Sequence, residues 1–365
     1  MTFASFGLNL DLFSALFFNV LVMLSLTTMI LGLQKTGGLV YLTKPFDRFK
    51  TSRSQAIAWF VLSVVFSGLT TNLILANILI PMAVVYAKER TMDPVELNLA
   101  VLLGILAGTE FFPYGGGDTI IENTLISHDL HRPLGLLTWG QMMWVPTILA
   151  CLITGLWLAY KVVNNKTLTE FKTEVRGSAA MLMEFMLLIA GVYLTFRTKL
   201  QGYVVLVAFL SALVSRLPAA KLKTLPFKAI IYWSLSLILG KILSVLLKTH
   251  VHFTIPSNVY SFGGIFLFIA VVFMISNFLT RSALSSMIMP LVLASAVPDK
   301  LWLSALAIKS FSLGYLLIFS DSANVVSVGY GLRQSKLLRI GLPIALMQMA
   351  AYILYFYFTK TVLTP

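Results

Sequence analysis

The side chains able to do chemistry in this chain are few, and most stand in apolar surroundings. Asp118, Thr119 and Glu122 follow the run Gly115-Gly116-Gly117, and Asp321 lies in Phe319-Ser320-Asp321-Ser322-Ala323-Asn324. Arg281 and Ser282 follow Ser276-Asn277-Phe278-Leu279-Thr280, while Glu110 and Lys309 sit inside hydrophobic runs. An ionisable group within a membrane span costs about 2.5–3.5 kcal/mol on insertion scales, which makes each of these a functional candidate. A carboxylate such as Asp321 in an unwound segment can bind Na⁺ or carry a proton. It can equally cap a helix from Val325 onward, because Asp is a favoured N-cap. Asp118 has the same two readings, and Glu122 one turn later could instead form an exposed polar face with it. Arg281, beside Ser276, Asn277 and Ser282, offers a planar fork for a substrate carboxylate, or else an internal ion pair with Asp321.

Other chemistries find no support in the sequence. No nucleophile stands near a candidate base, and the glycine run lacks the Lys-Ser/Thr of a phosphate loop, so an enzyme and an ATPase are not expected. His128/His131 and His250/His252 read as solvated loop pairs rather than a zinc site. The single cysteine, Cys151, lies in an apolar run and can form no intrachain disulfide. No cofactor is implied beyond Na⁺ as a coupling ion.

These residues must be positioned by membrane helices. The 365 residues are 58% hydrophobic and 11% charged, whereas a soluble domain carries roughly 25% charged residues. The net charge of +13 comes from basic clusters between apolar runs, the pattern of cytoplasmic loops rather than of a nucleic-acid interface. Crossings are expected at 12–33, 97–126 with an interruption, 142–160, 178–196, 203–214, 230–247, 301–330 with an interruption, and 338–358. The first reads as a retained helix rather than a signal peptide. The stretches 55–87 and 259–297 are too long for one helix and too short for two crossings at ~1.5 Å per residue, and each has a polar centre. A re-entrant helical hairpin fits both. Irregular backbone at membrane depth is tolerated only beside protein or a water-filled cavity, so hairpin tips and interruptions together imply a cavity.

One pattern therefore occurs twice: hairpin, broken helix, full helix. The expected fold is an all-α integral membrane protein with inverted repeats, about eight crossings and two hairpins. The first repeat covers 1–161, with hairpin 55–87 and broken helix 95–130, and a cytoplasmic linker covers 162–177. The second covers 178–365, with scaffold helices 178–247, hairpin 259–297, broken helix 300–331 and last helix 337–359. If the linker is cytoplasmic, most Lys and Arg residues fall inside and both termini outside. Inverted repeats with matching broken helices point to a secondary transporter with its site at the repeat interface. Glu184 and Lys241 also lie in spans, at depths that make direct pairing poor, and read as snorkelling or packing residues.

At these segments the chain resembles the ion transporter superfamily, in particular the divalent anion:sodium symporter family of di- and tricarboxylate carriers. The second hairpin keeps Ser276-Asn277 of that family's Ser-Asn-Thr tip, with Phe278 replacing Thr, and Met289-Pro290-Leu291 resembles its Leu-Pro-Ile. The first has Thr71-Asn72 and Ile80-Pro81-Met82. The broken helices depart further, with Asp321-Ser322 where Thr-Pro is expected, Asn324 retained, and Gly115-Gly116-Gly117-Asp118-Thr119 replacing the first turn. The resemblance implies a homodimer in the cell membrane that moves a small, dicarboxylate-like anion by an elevator motion, coupled to Na⁺ or H⁺ or by exchange. The expected substrate site comprises Thr71, Asn72, Asp118, Thr119, Ser276, Asn277, Arg281, Ser282 and Asn324. The expected coupling-ion site comprises Gly115, Gly117, Asp118, Asn277, Ser320, Asp321 and Asn324. The competing expectation is a Na⁺/H⁺ antiporter of the same superfamily, with Asp118 and Asp321 as alternating ligands.

Overall fold

The computed structural model describes residues 10–113, 117–131, 133–162, 166–168, 178–195, 202–218, 257–295 and 297–360, with a few isolated positions between 231 and 242. Its elements are helices: α1 Leu10–Lys35, α2 Gly38–Thr43, α3 Ser52–Ser67, α4 Asn72–Glu89, α5 Pro94–Gly108, α6 Gly117–Asp129, α7 Leu136–Trp157, α8 Ala179–Thr195, α9 Tyr203–Val214, α10 Phe262–Ser276, α11 Arg281–Ala294, α12 Lys300–Ser312, α13 Ser322–Gly329 and α14 Gln334–Thr359. Three of them, α4, α7 with its extension to Lys161, and α14, are long and apolar enough to cross a membrane by themselves. The expected crossing at 230–247 falls almost wholly outside the described residues.

Helix boundaries follow local chemistry. Thr71 and Thr280 cap α4 and α11, their side chains accepting from the Ile74 and Ala283 N–H groups. Asp93 and Asp299 do the same for α5 and α12. Such caps satisfy N–H groups that have no partner within the helix. Pro81 and Pro290 stand at the same step of α4 and α11, inside the helix, and mark the two as equivalents.

The packing repeats as well. In the first unit α3 and α4 both pack against α5, and α7 packs against α3 and α5. In the second, α10 and α11 both pack against α12, and α14 packs against α10 and α12. Between units the pairing is reciprocal: α4 meets α13, α6 meets α11, and α7 meets α14. In the stretches 55–87 and 259–297 the chain forms two helices separated by a four-residue break, and both helices lie against the helix that follows. A third group, α1 with α8 and α9, stands beside α4 and turns apolar side chains such as Leu182, Met186, Ile189, Phe209 and Leu213 outward.

Close approach in the first unit depends on Gly104 and Gly108, one turn apart on α5. A Cβ at either would run into the α3 backbone at Phe60 or Val64. In an apolar solvent, helix association relies on such small-residue contacts, because lipid leaves little hydrophobic driving force between helices.

Candidate functional site

Both polar breaks lie against the breaks in the following helices. Ser67, at the end of α3, donates to the Ile105 carbonyl at 2.5 Å and lies 3.1 Å from the Thr109 hydroxyl. Thr109 donates to Asn72 Oδ1 at 2.8 Å. In the second unit Asn277 Oδ1 accepts from the Leu316 N–H at 2.9 Å, and Ser276 packs on Gly314, where a Cβ would meet its backbone and side chain. Each tip is tied to the unwound segment of its own unit.

The unwound backbone is satisfied by side chains. Trp139 and Trp144 of α7 donate to the Glu110 and Phe111 carbonyls at 2.9 and 2.8 Å. Asn324 donates to the Tyr315 and Leu317 carbonyls, both at 2.9 Å, and to Ser320 Oγ, while Gln334 donates to the Leu316 carbonyl. The Tyr315, Leu316 and Leu317 carbonyls are therefore engaged internally. Asn324 Oδ1 is buried without a hydrogen bond.

Between the units, two aspartates reach across. Asp321 caps α13 through the Ala323 N–H at 2.8 Å and accepts from Asn72 Nδ2 of the other unit at 3.1 Å. Asp118, in the first turn of α6, accepts from the Ser282 hydroxyl at the start of α11. Capping and cross-unit contact thus coexist at Asp321. The two carboxylates are within electrostatic reach of each other, and both are only partly buried.

Arg281, which follows the second break, belongs to a buried ion cluster. Arg281 pairs with Glu110 Oε1 at 2.6 Å and with Glu122 Oε2 at 3.2 Å. Glu122 also accepts from Ser285 at 2.7 Å. Lys309 pairs with Glu110 and donates to Thr147 at 2.6 Å. The four charged side chains are 0–7% exposed. Four ionisable carboxyl groups, Glu110, Asp118, Glu122 and Asp321, therefore face two cations. A cavity of about 10 Å³ beside Glu110 and Lys309 has room for roughly one water.

Several sequence expectations meet this geometry differently. Arg281 pairs with Glu110 and Glu122, not with Asp321, because Asp321 turns toward Asn72 and its own helix. Glu122 is enclosed against α11 and forms no exposed face with Asp118. Thr71 acts as a cap, and Ser276 donates to the Phe273 carbonyl. Thr119 is buried in α6, Gly117 begins that helix, and Gly115 lies outside the described residues. Glu184 is buried in the third group, where it accepts from Ser211 at 2.6 Å beside Gly32, so it packs rather than snorkels. Thr147 and Ser285 had no sequence signal beyond being hydroxyls in apolar helices. Glu110, Glu122 and Lys309 carried one, as intramembrane charges, but their partners lie in the other unit or far along the chain.

No family model matches this chain, and no curated protein matches it. Among solved structures it is similar to the YdaH transporter of Alcanivorax borkumensis, described as having an unusual topology, with a TM-score of 0.47 and 15% identity over 98% of this chain and 90% of that one.

Proposed function

We propose that the chain is a secondary active transporter in which two inverted units enclose a polar centre near the middle of the membrane, and that it exchanges a small cation, Na⁺ in the first instance, for protons. The observation that carries this reading is the charge inventory of the centre: four carboxyl groups face two cations, and both cations are already paired. Such a centre has capacity for protons or a cation and, among the described residues, no uncommitted guanidinium for an anion. Asp118 and Asp321 are the exchange pair, because they lie at the junction of the units and are more open than Glu110 and Glu122. Each is held by a side chain of the opposite unit, so movement of one unit against the other changes both contacts together.

Under this reading α1, α8 and α9 are scaffold, the paired units are the mobile body of an elevator, and the protein works as a homodimer with both termini outside the cell membrane. The dicarboxylate-like anion carrier implied by the family resemblance requires Arg281 to leave Glu110 and Glu122 before it can hold a substrate. Proteoliposomes loaded with a pH gradient distinguish the two. The expected result is ²²Na⁺ uptake driven by that gradient, lost in Asp118→Asn and in Asp321→Asn. Uptake of labelled succinate or citrate that persists in both variants and is abolished in Arg281→Gln would replace this proposal with the anion carrier.

A further inference from the structure

At the base of α3 the chain builds an apolar groove that the transport centre does not use. The segment Lys44–Arg48 is a 3₁₀ turn held against the first half of α3. Gln55 fixes it by donating to the Phe46 and Phe49 carbonyls at 2.6 and 2.9 Å, and Phe46 stacks on Trp59 with ring centroids 4.5 Å apart. Phe46 and Phe49 form one wall, and Ile57, Val61, Leu62 and Val65 of α3 form the other, around a groove of about 590 Å³. Ile57, Val61 and Val65 are spaced one turn apart and point outward from the fold. The groove therefore runs along the outer face of α3, from its first turn toward its C-terminal end.

Its end at the first turn of α3 is basic. Lys44, Arg48 and Lys50 are exposed there, and Arg53 in the first turn of the helix has its guanidinium over the Tyr160 ring at 5.7 Å. A short antiparallel contact, in which Ser52 N–H donates to the Lys166 carbonyl and Leu168 N–H to the Lys50 carbonyl, brings Lys166 alongside, and Lys161 follows Tyr160. The one acid in the turn, Asp47, is bound by Arg90. Arg53 Nε is buried without a hydrogen bond.

An apolar slot ending in a cluster of cations matches the two halves of one molecule. We infer that the groove holds a phospholipid with an anionic head group, its acyl chain along Ile57, Val61 and Val65 and its phosphate against Arg53 and the neighbouring lysines. Basic pockets at the cytoplasmic ends of membrane helices bind anionic head groups, and the charge distribution of the sequence places this end inside.

The test is native mass spectrometry of the full-length chain titrated with phosphatidylglycerol or phosphatidylcholine, together with melting curves in inorganic phosphate. Wild type should retain one phosphatidylglycerol per chain in preference to phosphatidylcholine. Lys44→Gln, Arg48→Gln and Arg53→Gln should each reduce that preference about fivefold. Val61→Trp, which fills the groove from an exposed position, should remove bound lipid of both kinds while the elution profile stays that of folded protein. The inference is overturned if the two lipids bind equally, or if Val61→Trp still carries lipid. Stabilisation by inorganic phosphate equal to that by phosphatidylglycerol would overturn it too, as would a lipid-free dimer that Val61→Trp dissociates.

Discussion

The two helical units cap α4 and α11 with threonine and α5 and α12 with aspartate and pack these helices alike, yet they put different residues at one corresponding position. Immediately after the capping threonine stands Asn72 in the first unit and Arg281 in the second. Asn72 is a neutral two-sided group that accepts from Thr109 and donates to Asp321. Arg281 is a fixed cation held by Glu110 and Glu122. Similar packing therefore carries a different charge, and Arg281 at the start of α11 is held by buried counter-ions where Asn72 at the start of α4 is not.

The largest expected effect comes from making the second tip like the first. Arg281→Asn leaves Glu110 and Glu122 enclosed without the guanidinium, and losing one partner of a buried pair costs about 3–5 kcal/mol. Loss of folded protein in detergent, read by size-exclusion elution and melting temperature, is the expected outcome. Arg281→Asn with Glu122→Gln should recover part of that loss, since the residues share one network and their effects do not add. If the double variant melts no higher than the single one, Glu122 is not the counter-ion that matters.

The next contrast is steric. Gly108 lies on the α3 backbone in the first unit, whereas Gly314 lies on Ser276 in the second. Gly108→Ala should cost about 1–3 kcal/mol, as overpacking of a close helix pair does. Gly314→Ala meets the tip itself, so it should also displace Asn277 from the Leu316 N–H. Transport by Gly314→Ala should therefore fall further than its melting temperature alone accounts for. Equal changes in both measurements for the two variants would mean that the tip contact is packing only.

Much of this arrangement could be read along the chain, for reasons that are local. The polar centres of 55–87 and 259–297 and the breaks after Glu110 and before Asp321 show as interruptions through backbone chemistry that needs no knowledge of the fold, whereas the capping roles of Thr71 and Thr280 came only with the structure. The pairing of charges was not readable in the same way. Asp321 is the nearest acid to Arg281 in the following broken helix, but helix capping turns it away, and the true partners are Glu110 and Glu122 from the other unit. Reciprocal packing of α6 on α11 is a tertiary fact, so Glu122 could be flagged as costly without its partner being visible.

The neutral tip gives a milder test. Asn72→Ala removes a donor from the partly buried Asp321 and an acceptor from the buried Thr109, at about 1–3 kcal/mol. Asn72→Asp keeps the size but sets a carboxyl group against Asp321, so it should lose transport more than Asn72→Ala does, measured as initial uptake rate. The opposite ranking would show that Asn72 acts through Thr109 alone.

The smallest effect is expected where the units agree most closely. Thr71 and Thr280 each accept from the N–H three residues on, at 3.5 and 3.4 Å, and neither cap touches the charged cluster in the contacts described. Replacing an N-cap threonine with alanine costs about 0.5–2 kcal/mol. At such long distances the lower end of that range applies. Thr71→Ala and Thr280→Ala should thus shift the melting temperature by similar small amounts, because the same backbone geometry is lost in each. If Thr280→Ala is much the more damaging, the second cap is also fixing the direction in which Arg281 leaves α11. The difference between the two tips would then begin one residue earlier than the charge itself.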